Sequence, residues 1–118
     1  MKRIVISALY LLILFLISRF IFEPTYLYYE IKWLDVPMHV LGGIGVASLG
    51  YGIWSYAEKT PTFWRIFILY AITAVAWELY EYSRDLLSSQ SWNGWLDTTS
   101  DFLNGAIGAI IAYRLIKK

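Results

Sequence analysis

Acidic side chains and the single histidine of this sequence stand where apolar runs begin or end. Asp35 and His39 open the second apolar run four residues apart, a spacing that places both on one face of an α-helix. Glu78 and Glu81 stand in the last turns of the third run. Ionisable side chains inside apolar spans are costly and mark candidate functional sites. These four residues are therefore the first candidates for chemistry.

A further polar stripe opens the fourth apolar run. Asp97, Asp101 and Asn104 recur at spacings of four and three residues, which stacks them on one helical face. If consecutive runs cross a membrane in alternating directions, these residues lie at the same level as the polar residues of runs two and three. Five carboxylates and one imidazole then meet at one depth, where their repulsion must be offset by protons or by a bound cation.

An imidazole among several carboxylates suits a divalent ion such as zinc, manganese or magnesium. The predicted metal ligands are His39, Glu78, Asp97 and Asp101. Glu81 or Asp35 is the predicted general base, and Asn104 is predicted to orient a ligand or substrate. The motifs H-E-x-x-H and E-x-x-H are absent, so the pattern is not that of a zinc protease or a di-iron protein.

Several of these residues also have a purely structural interpretation. Asp35 and Asp97 could cap the N-termini of their helices. Glu81 could form an ion pair with Arg84 three residues later, and His39 could be a hydrogen-bonded core residue. The sequence leaves these interpretations open beside the metal site.

Four apolar runs of helical length must position the polar residues. The sequence predicts helices at about residues 4–22, 33–56, 63–82 and 96–116 of a single domain covering 1–118. Each run is near the length of about 20 residues that crosses a bilayer, and turn or helix-stop signals such as Glu23-Pro24 and Asn93-Gly94 separate them. The predicted fold class is all-α, a polytopic membrane protein with four transmembrane helices.

Composition agrees with this fold class. Of 118 residues, 58% are hydrophobic and 16% are charged, whereas soluble domains have about 45–50% and about 25%. The net charge of +1 provides no field for nucleic acid. Because the chain has no cysteine, disulfides, thiolate nucleophiles and thiolate metal ligands are excluded.

Basic residues predict the orientation in the membrane. Seven Lys and Arg lie in or next to the two termini and the loop between runs two and three, against two in or next to the other loops. The positive-inside rule therefore places both termini in the cytoplasm. The polar site is then expected near the extracytoplasmic side of a bacterial cell membrane.

Three segments resemble signatures of the VanZ-like membrane proteins. They are DVPMHVLGG (35–43), WELYEYSRD (77–85) and DTTSDFLNGAIGAIIAY (97–113). The matching residues are Asp35 and His39, Glu78 and Arg84, and Asp101, Asn104, Gly105 and Gly108. Glu81 and the pair at 97–98 are more similar to small bacterial inner-membrane proteins of the YjdF type.

This resemblance covers helices two to four and implies that Asp35, His39, Glu78, Asp101 and Asn104 form one site. VanZ-like proteins are associated with resistance to glycopeptide antibiotics of the teicoplanin kind, and no defined reaction is carried over from them. Where that family usually has Gln after the second-signature Glu, this chain has Glu81 or Tyr82, a departure that bears on the resistance role more than on the fold.

The leading functional prediction is a hydrolase or transferase that uses one divalent metal ion on a lipid or envelope precursor. A small ion or proton transporter and a non-catalytic membrane scaffold are the alternatives. The expected partners are the lipid bilayer, the lipid substrate and a second copy of the chain.

Overall fold

A computed structural model of the chain describes residues 1–22, 24–25, 31–57, 60–87 and 95–117, without the side chains at 32, 84–87 and 95–97. Four long helices make up this structure. They are α1 (Lys2–Ile17, continued by a π-helical segment Ser18–Phe22), α2 (Asp35–Ala57, entered through a 3-10 turn Lys32–Leu34), α3 (Phe63–Leu87) and α4 (Trp95–Lys117). The all-helical fold class predicted from the sequence is confirmed.

The ends of two helices follow from local chemistry. Beyond α1, the backbone N–H of Thr25 donates to the Ile21 carbonyl at 3.3 Å and its hydroxyl donates to the same oxygen at 2.5 Å. Pro24 has no backbone N–H and cannot donate a hydrogen bond to a carbonyl of the last turn. The α3 helix continues to Leu87, beyond the predicted end near residue 82, because SRDLL (83–87) contains neither glycine nor proline to stop it.

Three of the described helical stretches are long and apolar enough to cross a membrane. They are Lys2–Phe22, Asp35–Ala57 and Phe63–Ser83. The α4 helix is not among them, because polar residues such as TTSD (98–101) lower the hydropathy of its first turns. The described structure thus supports three spans and does not confirm the predicted fourth.

The α4 helix nevertheless supplies most of the core. The buried apolar side chains are Ala47 on α2, Ile66 and Tyr70 on α3, and Ala106, Ala109, Ala112 and Tyr113 on α4. By contrast, only 6% of the apolar window of α1 is buried. An exposed apolar surface of this size is unfavourable in water and favourable against lipid, so the exposed surface of α1 is suited to contact with lipid.

Small residues allow α2 and α4 to pack closely, and the two helices run parallel. Gly43 lies against the backbone carbonyl of Gly105, and Gly108 lies against the carbonyl of Val40. Side chains larger than glycine would hold these backbones apart. Since α2 and α4 both begin at the same end of the bundle, this contact places their first turns side by side.

Two tyrosine hydroxyls connect the remaining helices to this pair. Tyr10 of α1 donates to the Leu41 carbonyl of α2 at 2.8 Å, and Tyr70 of α3 donates to the Phe102 carbonyl of α4 at 2.6 Å. Both α1 and α3 run antiparallel to α2 and α4. The last turns of α3 therefore reach the end of the bundle where α2 and α4 begin.

Candidate functional site

Every acidic side chain that the structure describes lies at this one end of the bundle. Asp35 comes from the first turn of α2, Glu78 and Glu81 from the last turns of α3, and Asp101 from the second turn of α4. His39 lies among them. The three helices thus bring together four carboxylates and the imidazole.

The imidazole of His39 stands between two carboxylates. Its Nε2 lies 3.2 Å from Oδ1 of Asp35 and 3.2 Å from Oδ1 of Asp101. The His39 side chain is 18% exposed, that of Asp101 is 5% exposed and that of Asp35 is 38% exposed. One ring nitrogen carries at most one hydrogen, so a proton on Nε2 can be directed at only one of the two carboxylates at a time.

A second group of three carboxylates adjoins the first. Glu78, Glu81 and Asp101 each have an oxygen within 4.8 Å of the others, as do the ligand atoms of Asp35, His39 and Asp101. Asp101 belongs to both groups and is the most buried charged side chain described. It is therefore the residue that joins α2, α3 and α4 at the site.

Neighbouring side chains orient the two glutamates. The Thr98 hydroxyl of α4 donates to Oε2 of Glu78 at 3.2 Å, and the Trp77 indole N–H donates to Oε1 of Glu81 at 3.0 Å. Neither donor was among the residues predicted from the sequence. The contact of Trp77 could have been predicted from its spacing of four residues from Glu81, which places both on one helical face. The contact of Thr98 could not, because it depends on how α3 packs against α4.

The structure changes the interpretation of Asp35. This residue has helical dihedral angles, φ −60° and ψ −35°, whereas an N-cap residue has non-helical ones. The N-cap interpretation is therefore wrong for Asp35. The 3-10 turn Lys32–Leu34 directly precedes this residue, so the chain is already helical when it reaches Asp35. Its carboxylate faces His39 instead, which makes it a metal-ligand candidate as well as a base candidate.

Other predicted residues lie outside these two groups or outside the described side chains. The Asn104 amide donates to the Ser100 hydroxyl of its own helix at 3.4 Å, and Asn104 belongs to neither group of three. The side chains of Asp97 and Arg84 are not among those that the structure describes. The ligand role of Asp97 and the ion pair of Arg84 with Glu81 stay predictions.

The close contact between α2 and α4 lies one helical turn away from the polar site. His39 and Asp101 face each other, and Gly43 and Gly105, each four residues later, also face each other. We therefore expect the distance between the imidazole and the Asp101 carboxylate to depend on the glycine contact.

Comparison with known proteins gives the family. The model of a family described as "Predicted membrane protein (DUF2238)" matches residues 2–117. The chain belongs to this family. No curated protein and no solved structure matches the chain. Membership in the DUF2238 family and three candidate spans together identify a multi-pass membrane protein.

Proposed function

We propose that this DUF2238-family protein binds one divalent metal ion at the polar end of its bundle and uses it in hydrolysis or group transfer on a lipid or envelope precursor. The observation that carries the proposal is the position of His39 Nε2, at 3.2 Å from one carboxylate oxygen of Asp35 and from one of Asp101. Zinc, manganese and magnesium are the candidate ions, and the imidazole favours zinc or manganese over magnesium.

The separation of the donor atoms fits a metal ion. Bonds of about 2.0–2.2 Å to zinc place neighbouring ligand atoms about 2.8–3.6 Å apart in tetrahedral or octahedral arrangements. The two nitrogen–oxygen distances of 3.2 Å lie in this interval. A cation bound to Asp35, His39 and Asp101 would also offset the repulsion between two carboxylates in an apolar bundle.

The adjoining glutamates supply the acid–base chemistry of the proposed reaction. A bound zinc ion would lower the pKa of a water ligand to about 7, and Glu81 or Glu78 would accept a proton from the water that attacks an ester or phosphoester of the substrate. The same proton would pass to the leaving alkoxide. The hydrogen bonds from Thr98 and Trp77 would hold the two carboxylates in position for this transfer.

The location of the site supports a lipid-linked substrate. The site lies at the ends of the apolar helices α2 and α3, which is the level of lipid head groups. If the chain has the orientation that the positive-inside rule predicts, that level is extracytoplasmic. A relationship to VanZ-like or YjdF-type proteins is part of the same proposal. It is supported by the match of Asp35, His39 and Asp101 to the VanZ-like signatures and by the similarity of Glu81 and the pair at 97–98 to the YjdF type.

Turnover of envelope lipids tests this function. The purified protein would be reconstituted with a bacterial envelope lipid extract, with and without added zinc or manganese, and the lipids would be followed by mass spectrometry. We expect a metal-dependent product that is lost in His39→Gln and Asp101→Asn variants and retained in Thr73→Val, whose hydroxyl bonds within its own helix. Equal product from His39→Gln and wild type would contradict the proposal.

The transporter alternative has less support. A monomeric conduction path needs polar groups along the helices, yet the carboxylates in the described part of the chain all lie at one end. Carboxylate-dependent ion flux into liposomes would reverse this ranking. The scaffold alternative predicts that apolar isosteres at Glu78 and Asp101 leave cellular function intact.

A further inference from the structure

A cleft opens at the end of the bundle opposite the carboxylates. It has a volume of about 400 Å³ and lies where α1 begins and where α2 and α4 end. Its lining includes Arg3 of α1 and Tyr51, Gly52, Ser55 and Tyr56 of α2. Because Lys2–Phe22 and Asp35–Ala57 are candidate spans, the cleft lies at the membrane–water boundary.

Two lining groups are suited to an anion. The guanidinium of Arg3 stands 5.5 Å from the centre of the Tyr51 ring, a position that holds it over α2 at the cleft. Among the residues that the structure describes, the hydroxyl of Ser55 is buried and has no hydrogen-bond partner, which is uncommon for a buried polar group. A guanidinium and a hydroxyl are both donors, and together they match the oxygens of a phosphate group.

The backbone of α2 leaves room for this arrangement at Gly52. A Cβ on Gly52 would approach Ile4 Cγ1 to 3.1 Å and Arg3 Cγ to 3.4 Å. Glycine therefore allows the first turn of α1 to lie close to α2, which places Arg3 in the lining. The ring of Tyr56, 73% exposed, stands at the rim of the cleft.

The charge of the described side chains at this end is opposite to that of the site described above. The described basic side chains near it are Lys2, Arg3, Arg65, Arg114 and Lys117. The described acidic side chains all lie at the other end. An anion is therefore attracted to the cleft by its surroundings as well as by its lining.

We propose that this cleft binds a phosphate group, through Arg3 and Ser55, at the membrane surface. A phospholipid head group and a soluble phosphate compound share this chemistry. The proposal is independent of the metal site, because no residue is common to the two and they lie at opposite ends of the bundle.

Native mass spectrometry of the detergent-solubilised full chain tests the proposal. The titrants would be dioleoylphosphatidylglycerol and dioleoylglycerol, which has the same acyl chains without the phosphate. We expect one phosphatidylglycerol to bind per chain and dioleoylglycerol to bind at least about tenfold more weakly, the factor expected for the loss of a hydrogen bond to a charged group. Equal binding of the two lipids would overturn the proposal.

Matched arginine variants locate the site. Arg65 also stands over an aromatic ring of α2, 5.5 Å from the centre of the Trp54 ring, but it does not line the cleft. Arg3→Gln is expected to weaken phosphatidylglycerol binding about tenfold, and Arg65→Gln to leave it within about twofold. Equal losses in both variants would mean general attraction to the basic end and would refute a site at Arg3.

A third variant and a competitor complete the test. Ser55→Ala removes a buried hydroxyl that has no hydrogen-bond partner in the described part of the chain, so it should fold as well as wild type by circular dichroism while binding phosphatidylglycerol about threefold more weakly. Unchanged lipid binding in Ser55→Ala together with unchanged binding in Arg3→Gln would exclude the cleft. Displacement of the lipid by millimolar inorganic phosphate would support a soluble phosphate as ligand, and resistance to it would support a lipid head group.

Discussion

Replacing Gly43 by alanine should open the candidate metal site from one turn away. An ideal Cβ on Gly43 would overlap the backbone carbonyl of Gly105, and neither backbone can rotate out of the way as a side chain can. The neighbouring Gly42 is the matched control, because a Cβ there meets no atom within 4 Å. Both changes add the same methyl group to the same helix.

The expected size of the effect follows from these contacts. Carbon and oxygen atoms approach to about 3.3 Å at closest, so α2 and α4 must separate by about 1 Å or more at Gly43. His39 and Asp101, now 3.2 Å apart, would move to about 4 Å, beyond hydrogen-bonding distance. Overpacking of this kind destabilises by about 1–3 kcal/mol, whereas Gly42→Ala should stabilise by up to about 1 kcal/mol.

Two measurements would test the two expected consequences, which are lower stability and weaker metal binding. The free energy of unfolding would come from denaturant titration followed by circular dichroism, and metal affinity from calorimetric titration with zinc. Gly43→Ala should be less stable than Gly42→Ala by about 1–4 kcal/mol and should bind the metal more weakly. Equal stability and equal affinity in the two variants would refute the coupling of the glycine contact to the site.

Three further predictions concern neighbouring groups and the metal itself. Thr98→Val removes the hydrogen bond to Glu78 and should lower turnover about tenfold, while Thr73→Val stays within about twofold; equal rates would contradict an orienting role. Tyr70→Phe removes a 2.6 Å bond to the backbone of α4 and should lower the unfolding free energy by about 1 kcal/mol with unchanged metal content, and a loss of metal would contradict this separation. A chelator should destabilise the wild type by about 2–3 kcal/mol when metal had been present at about 100 times its dissociation constant, and should not affect His39→Gln.

The helices and their polar ends could be predicted from the sequence because both follow from local patterns. Apolar runs of helical length predict the helices, and the four-residue spacing of Asp35 and His39 places them on one face. The alternation of helix direction then predicts which ends meet. These steps need no knowledge of how side chains pack.

Contacts between helices could not be predicted in the same way. Asp101 is common to both groups because α2 packs closely against α4. That packing in turn requires that Gly43, and not the neighbouring Gly42, contacts Gly105. The hydrogen bond from Thr98 to Glu78 joins residues 20 positions apart. Such register between helices is set by packing, which hydrophobic periodicity alone does not specify.

The extension of α3 and the hydropathy of α4 have separate physical causes. A polar stretch such as SRDLL can continue a helix when it contains no glycine or proline. The polarity after residue 82 was therefore not sufficient to predict the end of α3. The α4 helix has polar first turns and a core-facing stripe of alanine and glycine. Burial against α2 and α3, rather than hydrophobicity along its whole length, determines its place in the bundle.

Elemental analysis of the purified protein tests the central claim most directly. Inductively coupled plasma mass spectrometry of the detergent-purified chain would give the molar ratio of each divalent metal to protein, with His39→Ala and Asp101→Ala beside Gly42→Ala as the folded control. We predict about one equivalent of zinc or manganese in wild type and Gly42→Ala, and a clear loss in the other two. A wild-type protein that contains no divalent metal and takes up none on titration, or site variants that retain the full equivalent, would contradict the metal site.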